Sequence, residues 1–400
     1  MKISNIQELE KARIGYYGPW ARCRSLSMEE VIEKVKNGEK YIIRLKSPGN
    51  FNNKIVLHDL IKGNIEMPEN DQDIVILKSD NLPTYHFAHA IDDHLMHTTN
   101  VIRGDEWVAS YPIHEQLFKV LGFKLPYYSH IAPITIKEGN VVRKISKRKD
   151  PEAAISFYHK AGIPTEVIRL YLATINNSTF EAWYLQNPDK TIDDFKFEFE
   201  KAPIGGSLFD IQKLISISRV YFSTLKASDV YAETLKYTSL YDNEFNSLLS
   251  KYKDYSINIL NIEREIPRPR RDISSYGDVR KYIWYMFDEL FFKEAKYNLE
   301  KEYDVDLLYD YVNNYYDAND TKDEWFAKVK EVAVKYNYAS SPKEYKADPT
   351  KFKGHVGDIC EAIRVAVTSL TQTPDLYEIL KLLGKDRIIK RIDFFKENRN

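Results

Sequence analysis

Apolar residues recur at two different periods along this chain. Between positions 27 and 38 the period is helical: Val31, Ile32 and Val35 fall on one face, Ser27 and Glu30 have the spacing of a reciprocal N-terminal cap, and Gly38 suits the stop. The runs 41–46 and 73–78, bounded by turn residues, predict short strands. A compact helix is predicted over 114–121, ending at Gly122, and a strand over 131–136 after Pro126 and His130. Further on, Ile155, Val167, Ile168, Leu170 and Leu172 mark helices with apolar faces. From about 221 the pattern is helical, with Lys, Glu and Tyr on the outside. Near the end, Thr373 is expected to cap a helix with Pro374 in its first position, Gly384 to end it, and a last helix to run from Asp386 towards Phe395.

These textures divide the chain into four regions: 1–82, mixed helix and strand; 83–133, α/β; 134–220, a basic run at 143–149 followed by helices; and 221–400, helical. A length of 400 residues fits several domains rather than one core. With 43% hydrophobic and 29% charged residues, disordered and fibrous classes are excluded. The net charge of −1 gives no support for a nucleic-acid partner, although a local basic face can sit on a neutral protein. Two cysteines, Cys23 and Cys360, are too few for a disulfide framework or a Cys-rich zinc site. No run of about 18 apolar residues is present and residues 1–5 open no secretory signal, so the expected compartment is the cytoplasm, without membrane contact.

Three segments could carry chemistry. The first is the basic loop Lys144, Ile145, Ser146, Lys147 and Arg148 beside Gly139. Such a run reads either as a solvated face or as a cationic loop that meets polyphosphate, where it would stabilise the oxygens of a transferring nucleotidyl group. In the second, residues 83–94, Tyr85 and His89 share a helical face. His86, His89, His94 and His97 with Asp92 and Asp93 invite a metal, but the spacing favours hydrogen-bonding roles. The third spans 101–107. Arg103, at the end of a short apolar strand, is placed either to clamp a carboxylate with its planar fork or to pair with Asp105 or Glu106 on a turn.

In this order and spacing, 83–94, 101–107, Tyr128-Ser129-His130-Ile131 and 144–148 resemble the bacterial glutamate–tRNA ligases, which are class I aminoacyl-tRNA synthetases. The resemblance extends back through 17–48 and forward through 151–177, and residues 355–358 and 373–384 are similar to the anticodon-binding end of the clostridial subgroup. It implies part of a Rossmann-type α/β catalytic domain (83–133), preceded by a connective peptide that meets the tRNA acceptor (1–82). A stem-contact region (134–220) and a helical anticodon-binding region (221–400) would follow. It also implies site roles. Lys147 would contact the ATP phosphates, with Lys144, Ser146 and Arg148 completing that loop. Arg103 would bind a carboxylate of glutamate, Tyr85 and His89 would line the amino-acid pocket, and Glu106 and Trp107 would lie near ATP. Many members carry Asn where this chain has His89.

The implied reaction has two steps. Glutamate attacks the α-phosphate of ATP, with Mg²⁺ neutralising the phosphates, and the terminal ribose of tRNA(Glu) then takes the activated glutamyl group. The implied partners are glutamate and tRNA(Glu), with tRNA(Gln) as an alternative acceptor, and the implied state is a monomer. Members also carry a Pro-Ser-Pro-Thr-Gly strand followed by a His-Ile-Gly-His-like motif that cradles ATP. No stretch of this sequence has that form: His94-Leu95-Met96-His97 and Gly354-His355-Val356-Gly357 both lack the Pro-rich strand before them. The chain alone is therefore expected to be incomplete as an enzyme. The explanations are a sequence cut short, one half of a split enzyme that joins a missing N-terminal half, or a non-catalytic tRNA-binding remnant.

Overall fold

The computed structural model describes residues 15–17, 20–187, 190–297 and 301–399. The chain divides into two compact units, one of 1–145 with 172–209 and one of 146–171 with 210–400.

The first unit is built on a four-stranded mixed sheet. Its strands run in the order β3 (Gly63–Pro68), β2 (Lys54–Asp59), β6 (Tyr127–Ile131) and β5 (Asn100–Gly104). β2 and β3 form an antiparallel hairpin, whereas β6 runs parallel to both β2 and β5. Parallel neighbours need a long crossover, which the 3₁₀ turn Asp105–Ser110 and helix α3 (Tyr111–Leu121) supply between β5 and β6. Burial follows the topology. β2 alternates exposed and covered positions, while Tyr128, Ser129 and His130 of the central β6 are all buried. Helix α2 (Tyr85–Leu95) packs on α3 through Ala90, Leu117 and Phe118.

Local chemistry sets the ends of these elements. α3 begins three residues before the predicted start, with Pro112 in its first turn, where a missing N–H costs nothing, and it stops at Gly122 with φ 72°. The strand expected over 131–136 is instead two strands: β6 ends at Ile131, and β7 (Thr135–Glu138) pairs with β8 (Val141–Lys144). Pro133, which has no N–H for a ladder, lies in the break. The runs predicted around 43 and 75 form β1 (Ile43–Arg44) and β4 (Val75–Leu77), which pair antiparallel. Helix α1 (Met28–Lys36) carries the expected reciprocal cap: the Glu30 amide donates to Ser27 Oγ at 3.2 Å, and the Ser27 amide to Glu30 Oε2 at 2.7 Å. Its apolar residues nevertheless stay in solvent, with Val31 39%, Ile32 46% and Val35 43% exposed.

The second unit is helical around one core, whose buried members run from Phe222 to Phe395. Near its end, Val356–Thr368 (α4), Leu376–Leu383 (α5) and Lys385–Asn398 (α6) follow one another. The cap of α5 is Asp375, whose side chain accepts from the Glu378 amide, so Pro374 lies outside the helix and Thr373 is not its cap. Gly384 ends α5 as expected. Arg391 of α6 is fully buried; it donates to Asp288 and to the Val367 carbonyl and lies over the Phe291 ring at 4.1 Å. Among the described residues, no helix is long and apolar enough to cross a membrane.

Candidate active site

Arg103 is the fourth residue of β5, level with His130 on the neighbouring β6. Its Nε donates to His130 Nε2 at 2.9 Å, its Nη1 lies 2.8 Å from His114 Nδ1, and its Nη2 reaches the Trp107 carbonyl at 3.4 Å. The guanidinium also sits over the Tyr128 ring at 4.6 Å. The turn pairing with Asp105 or Glu106 is not made. Asp105 takes Lys62 at 3.1 Å and Glu106 takes Lys144 at 3.2 Å.

The hydrogen atoms of the three histidines around this arginine follow from one fact: guanidinium donates and never accepts. His130 Nε2 must therefore be an acceptor, and its proton sits on Nδ1, 2.7 Å from Asp59 Oδ2. His114 Nδ1 must likewise accept, so His114 donates from Nε2 to His86 Nδ1 at 2.8 Å. Burial, then the charge of Arg103, pushes His114 down to about 2, and the same two causes lower His86. Asp59 is held below the usual carboxylate range: burial opposes this, but hydrogen bonds from His130 and from the Lys62 and Ile61 amides outweigh it.

Tyr85 and His89 share a face of α2 as their spacing requires, with rings stacked at 5.9 Å and 6°. The Trp107 ring also packs on Tyr85, with ring centroids 4.4 Å apart and the planes tilted by 32°. His89 Nε2 lies 2.9 Å from the Tyr128 hydroxyl, and Nδ1 lies 2.9 Å from Asp93 Oδ2 without hydrogen-bond geometry. His94 stacks on Phe123 at 3.7 Å, and His97 adopts φ 55° just after α2. No group of three or more His, Cys, Asp or Glu among the described residues is arranged to hold a metal.

The structure thus gathers Tyr85, His89, Arg103 and Trp107 in the first unit, and it joins Glu106 to Lys144 on the exposed rim beside them. In the basic loop, the Ile145 amide donates to the Ile134 carbonyl at 3.0 Å. Ser146, Lys147 and Arg148 open the second unit, where the Ser146 amide donates to Asp150 Oδ2 at 2.7 Å and Lys147 and Arg148 are exposed. Sequence reasoning did not single out Asp59 or assign partners to His114 and His130. Only the strand register brings them to Arg103, and no local pattern announces a register.

A half-buried cation whose partners here are histidines, a carbonyl and a tyrosine, beside a stacked aromatic wall, is suited to a carboxylate on a small molecule. Comparison with known proteins places this chain in a family. The family described as "tRNA synthetases class I (E and Q), catalytic domain" matches residues 5–214, and "Anticodon binding domain" matches 266–396. Glutamate–tRNA ligases of Clostridium beijerinckii and Clostridium perfringens strain 13 are 42% and 44% identical, covering 97% and 96% of this chain and 71% and 72% of theirs. The Thermus thermophilus enzyme is 30% identical over 97% of this chain. In fold, the chain is similar to the crystal structure of a glutamate tRNA ligase from Elizabethkingia meningosepticum in complex with its amino acid. The TM-score is 0.71 at 21% identity, over 98% of this chain and 76% of that one. The catalytic-domain match, spanning the Arg103 site, does not favour a non-catalytic tRNA-binding remnant. The chain belongs to the class I glutamate–tRNA ligase family.

Proposed function

We propose that this protein activates glutamate with ATP and transfers it to the 3′ end of tRNA(Glu), with Arg103 clamping a carboxylate of the amino acid. The observation that carries this reading is the fixed guanidinium. Two neutral histidines hold Arg103, and Tyr85 and Trp107 wall the space beside it, all within the region that the catalytic family covers. A planar fork held in place discriminates carboxylates far better than a mobile ammonium would.

Lys147 of the exposed basic loop meets the ATP phosphates, where a cation lowers the cost of the charge that develops on the transferring group. Lys144, Ser146 and Arg148 shape that loop. His89 lines the amino-acid pocket through the ring it stacks on Tyr85, and Glu106 and Trp107 flank the nucleotide. Mg²⁺ enters on the phosphates of ATP rather than on a protein cage. Residues 1–82 meet the tRNA acceptor, 83–133 supply the catalytic α/β layer, 134–220 contact the stem, and 221–400 read the anticodon end. The protein works as a monomer in the cytoplasm.

The test is ATP–pyrophosphate exchange by the full natural protein. Exchange that requires both L-glutamate and tRNA(Glu) is expected. Exchange driven by another amino acid, or none at all, would overturn the assignment. Adding tRNA(Gln) instead shows whether it serves as a second acceptor.

A further inference from the structure

We propose that Asp59, His130 and His114 are positioning residues that lock the plane of the Arg103 guanidinium for the amino-acid substrate. This rests on the reading of Arg103 given above and gives a role to residues for which the sequence alone assigned none. Three observations support it.

First, the two histidines present lone pairs, not protons, to the arginine, and they do so from different elements: His130 from β6 at 2.9 Å and His114 from α3 at 2.8 Å. Bonds to Nε and Nη1 from two directions remove rotation about the last side-chain torsions. The contact of Nη2 with the Trp107 carbonyl is long at 3.4 Å, and Tyr85 hydrogen-bonds the same guanidinium, so a carboxylate arriving there would share the fork with the Tyr85 hydroxyl. Second, His130 has its tautomer imposed. Asp59 Oδ2 takes the proton-bearing Nδ1 at 2.7 Å and also the His130 backbone amide at 3.0 Å. Asp59 Oδ1 is itself tied to the Ile61 and Lys62 amides, both at 2.9 Å, at the start of the β2–β3 turn. A tautomer flip would turn an N–H on His130 towards the N–H of Arg103. Third, the chain of contacts is dry, since Asp59 is 1% exposed and His130 and His114 are 0%. A buried carboxylate on a histidine that faces an arginine, rather than a direct Asp–Arg pair, keeps the guanidinium charge uncancelled. That charge is then free for an incoming carboxylate.

The arrangement implies a division of labour. Arg103 touches the substrate, whereas Asp59, His130 and His114 act only through Arg103. Removing His130 should therefore weaken glutamate and leave nucleotide binding alone. A residue that merely filled the core would weaken both together.

The experiment measures dissociation constants of L-glutamate and of ATP, separately, for the full natural protein in the presence of tRNA(Glu). His130→Phe keeps the volume and removes the acceptor, while His130→Gln keeps a carbonyl that can accept from Arg103 Nε. The expected result is a rise of at least about tenfold in the glutamate constant for His130→Phe, with most of it restored in His130→Gln. The ATP constant should stay within about twofold of wild type in both. Equal glutamate binding by wild type and His130→Phe, or parallel loss of glutamate and ATP, would overturn the positioning role. Absence of glutamate binding by the wild type would instead overturn the proposed function, and this inference with it. Because a buried substitution can prevent folding, nitrogen NMR of wild-type protein labelled at histidine gives a second reading. Non-protonated Nε2 on His130 and non-protonated Nδ1 on His114 are expected, and the opposite tautomer on either would overturn the proposal.

Discussion

Acid should weaken the catalytic unit well before its carboxylates titrate, and His114 sets the size of the effect. This side chain is completely buried, and burial together with the Arg103 charge pushes it down to about 2 from the ordinary 6.5. Below pH 6.5 the unfolded chain takes a proton that the native one refuses, so stability falls as pH falls. Above 6.5 neither form is protonated and the contribution is complete. At about pH 5 the linkage for this one group amounts to about 2 kcal/mol, a large share of a domain's total stability. His86 and His89 are lowered too, chiefly by burial, so they act in the same direction. Asp59 is lowered as well, so its contribution is present above its ordinary 3.8 and is lost only at still lower pH. The assay is amide hydrogen exchange along α3, corrected for intrinsic rates, in wild type and in His114→Gln between about pH 7.5 and about pH 5. The stability advantage of wild type should shrink by about 2 kcal/mol across that range, because the variant has no imidazole to titrate at this position. A difference that stays constant with pH would mean that His114 takes up its proton as readily in the folded state as in the unfolded one. The tautomer chain built on Arg103 would then be wrong.

Arg103→Lys should lose glutamate-dependent exchange, because an ammonium cannot reproduce the planar fork or satisfy both histidines; normal glutamate affinity would refute the clamp. Lys147→Ala should cost at least about 3 kcal/mol of transition-state stabilisation with tRNA binding nearly intact, which exchange rates and a filter-binding assay would separate. In the helical unit, Arg391→Ala should destabilise by about 3 kcal/mol in urea denaturation. This is the low end for a broken buried pair, since Arg387 also holds Asp288 at 2.8 Å. Loss of less than about 1 kcal/mol would place that pair with weak surface bridges.

Much of this architecture was legible wherever one short segment decides the outcome. The reciprocal cap of Ser27 and Glu30, the stop at Gly122 and the pairing of Tyr85 with His89 across a helical turn are all local, and each is present. Arg103 at the end of an apolar strand was also readable, since strand and turn are adjacent in the chain. Competing local signals misled in two places. Thr373 and Asp375 are both good caps, and Pro374 between them fits either frame; the structure uses Asp375. The apolar run around Ile131 hid the break at Pro133. The partners of Arg103 could not be read at all. Asp59 lies 71 residues from His130, and His130 27 from Arg103. Only the register of β5 on β6 and of β6 on β2 brings them together. The four histidines at 86–97 looked like one cluster because they are close in sequence. In space His86 and His89 stay together, both against His114, whereas His94 turns away to stack on Phe123.

The most direct measurement is aminoacylation of tRNA(Glu) by the full natural protein, with ATP, Mg²⁺ and labelled glutamate, glutamine or aspartate in parallel reactions. The account predicts that glutamate alone becomes esterified to the tRNA, that the label is released by mild alkali, and that Arg103→Lys abolishes it. Esterification of glutamine or aspartate in place of glutamate, or undiminished charging by the Arg103→Lys variant, would contradict it.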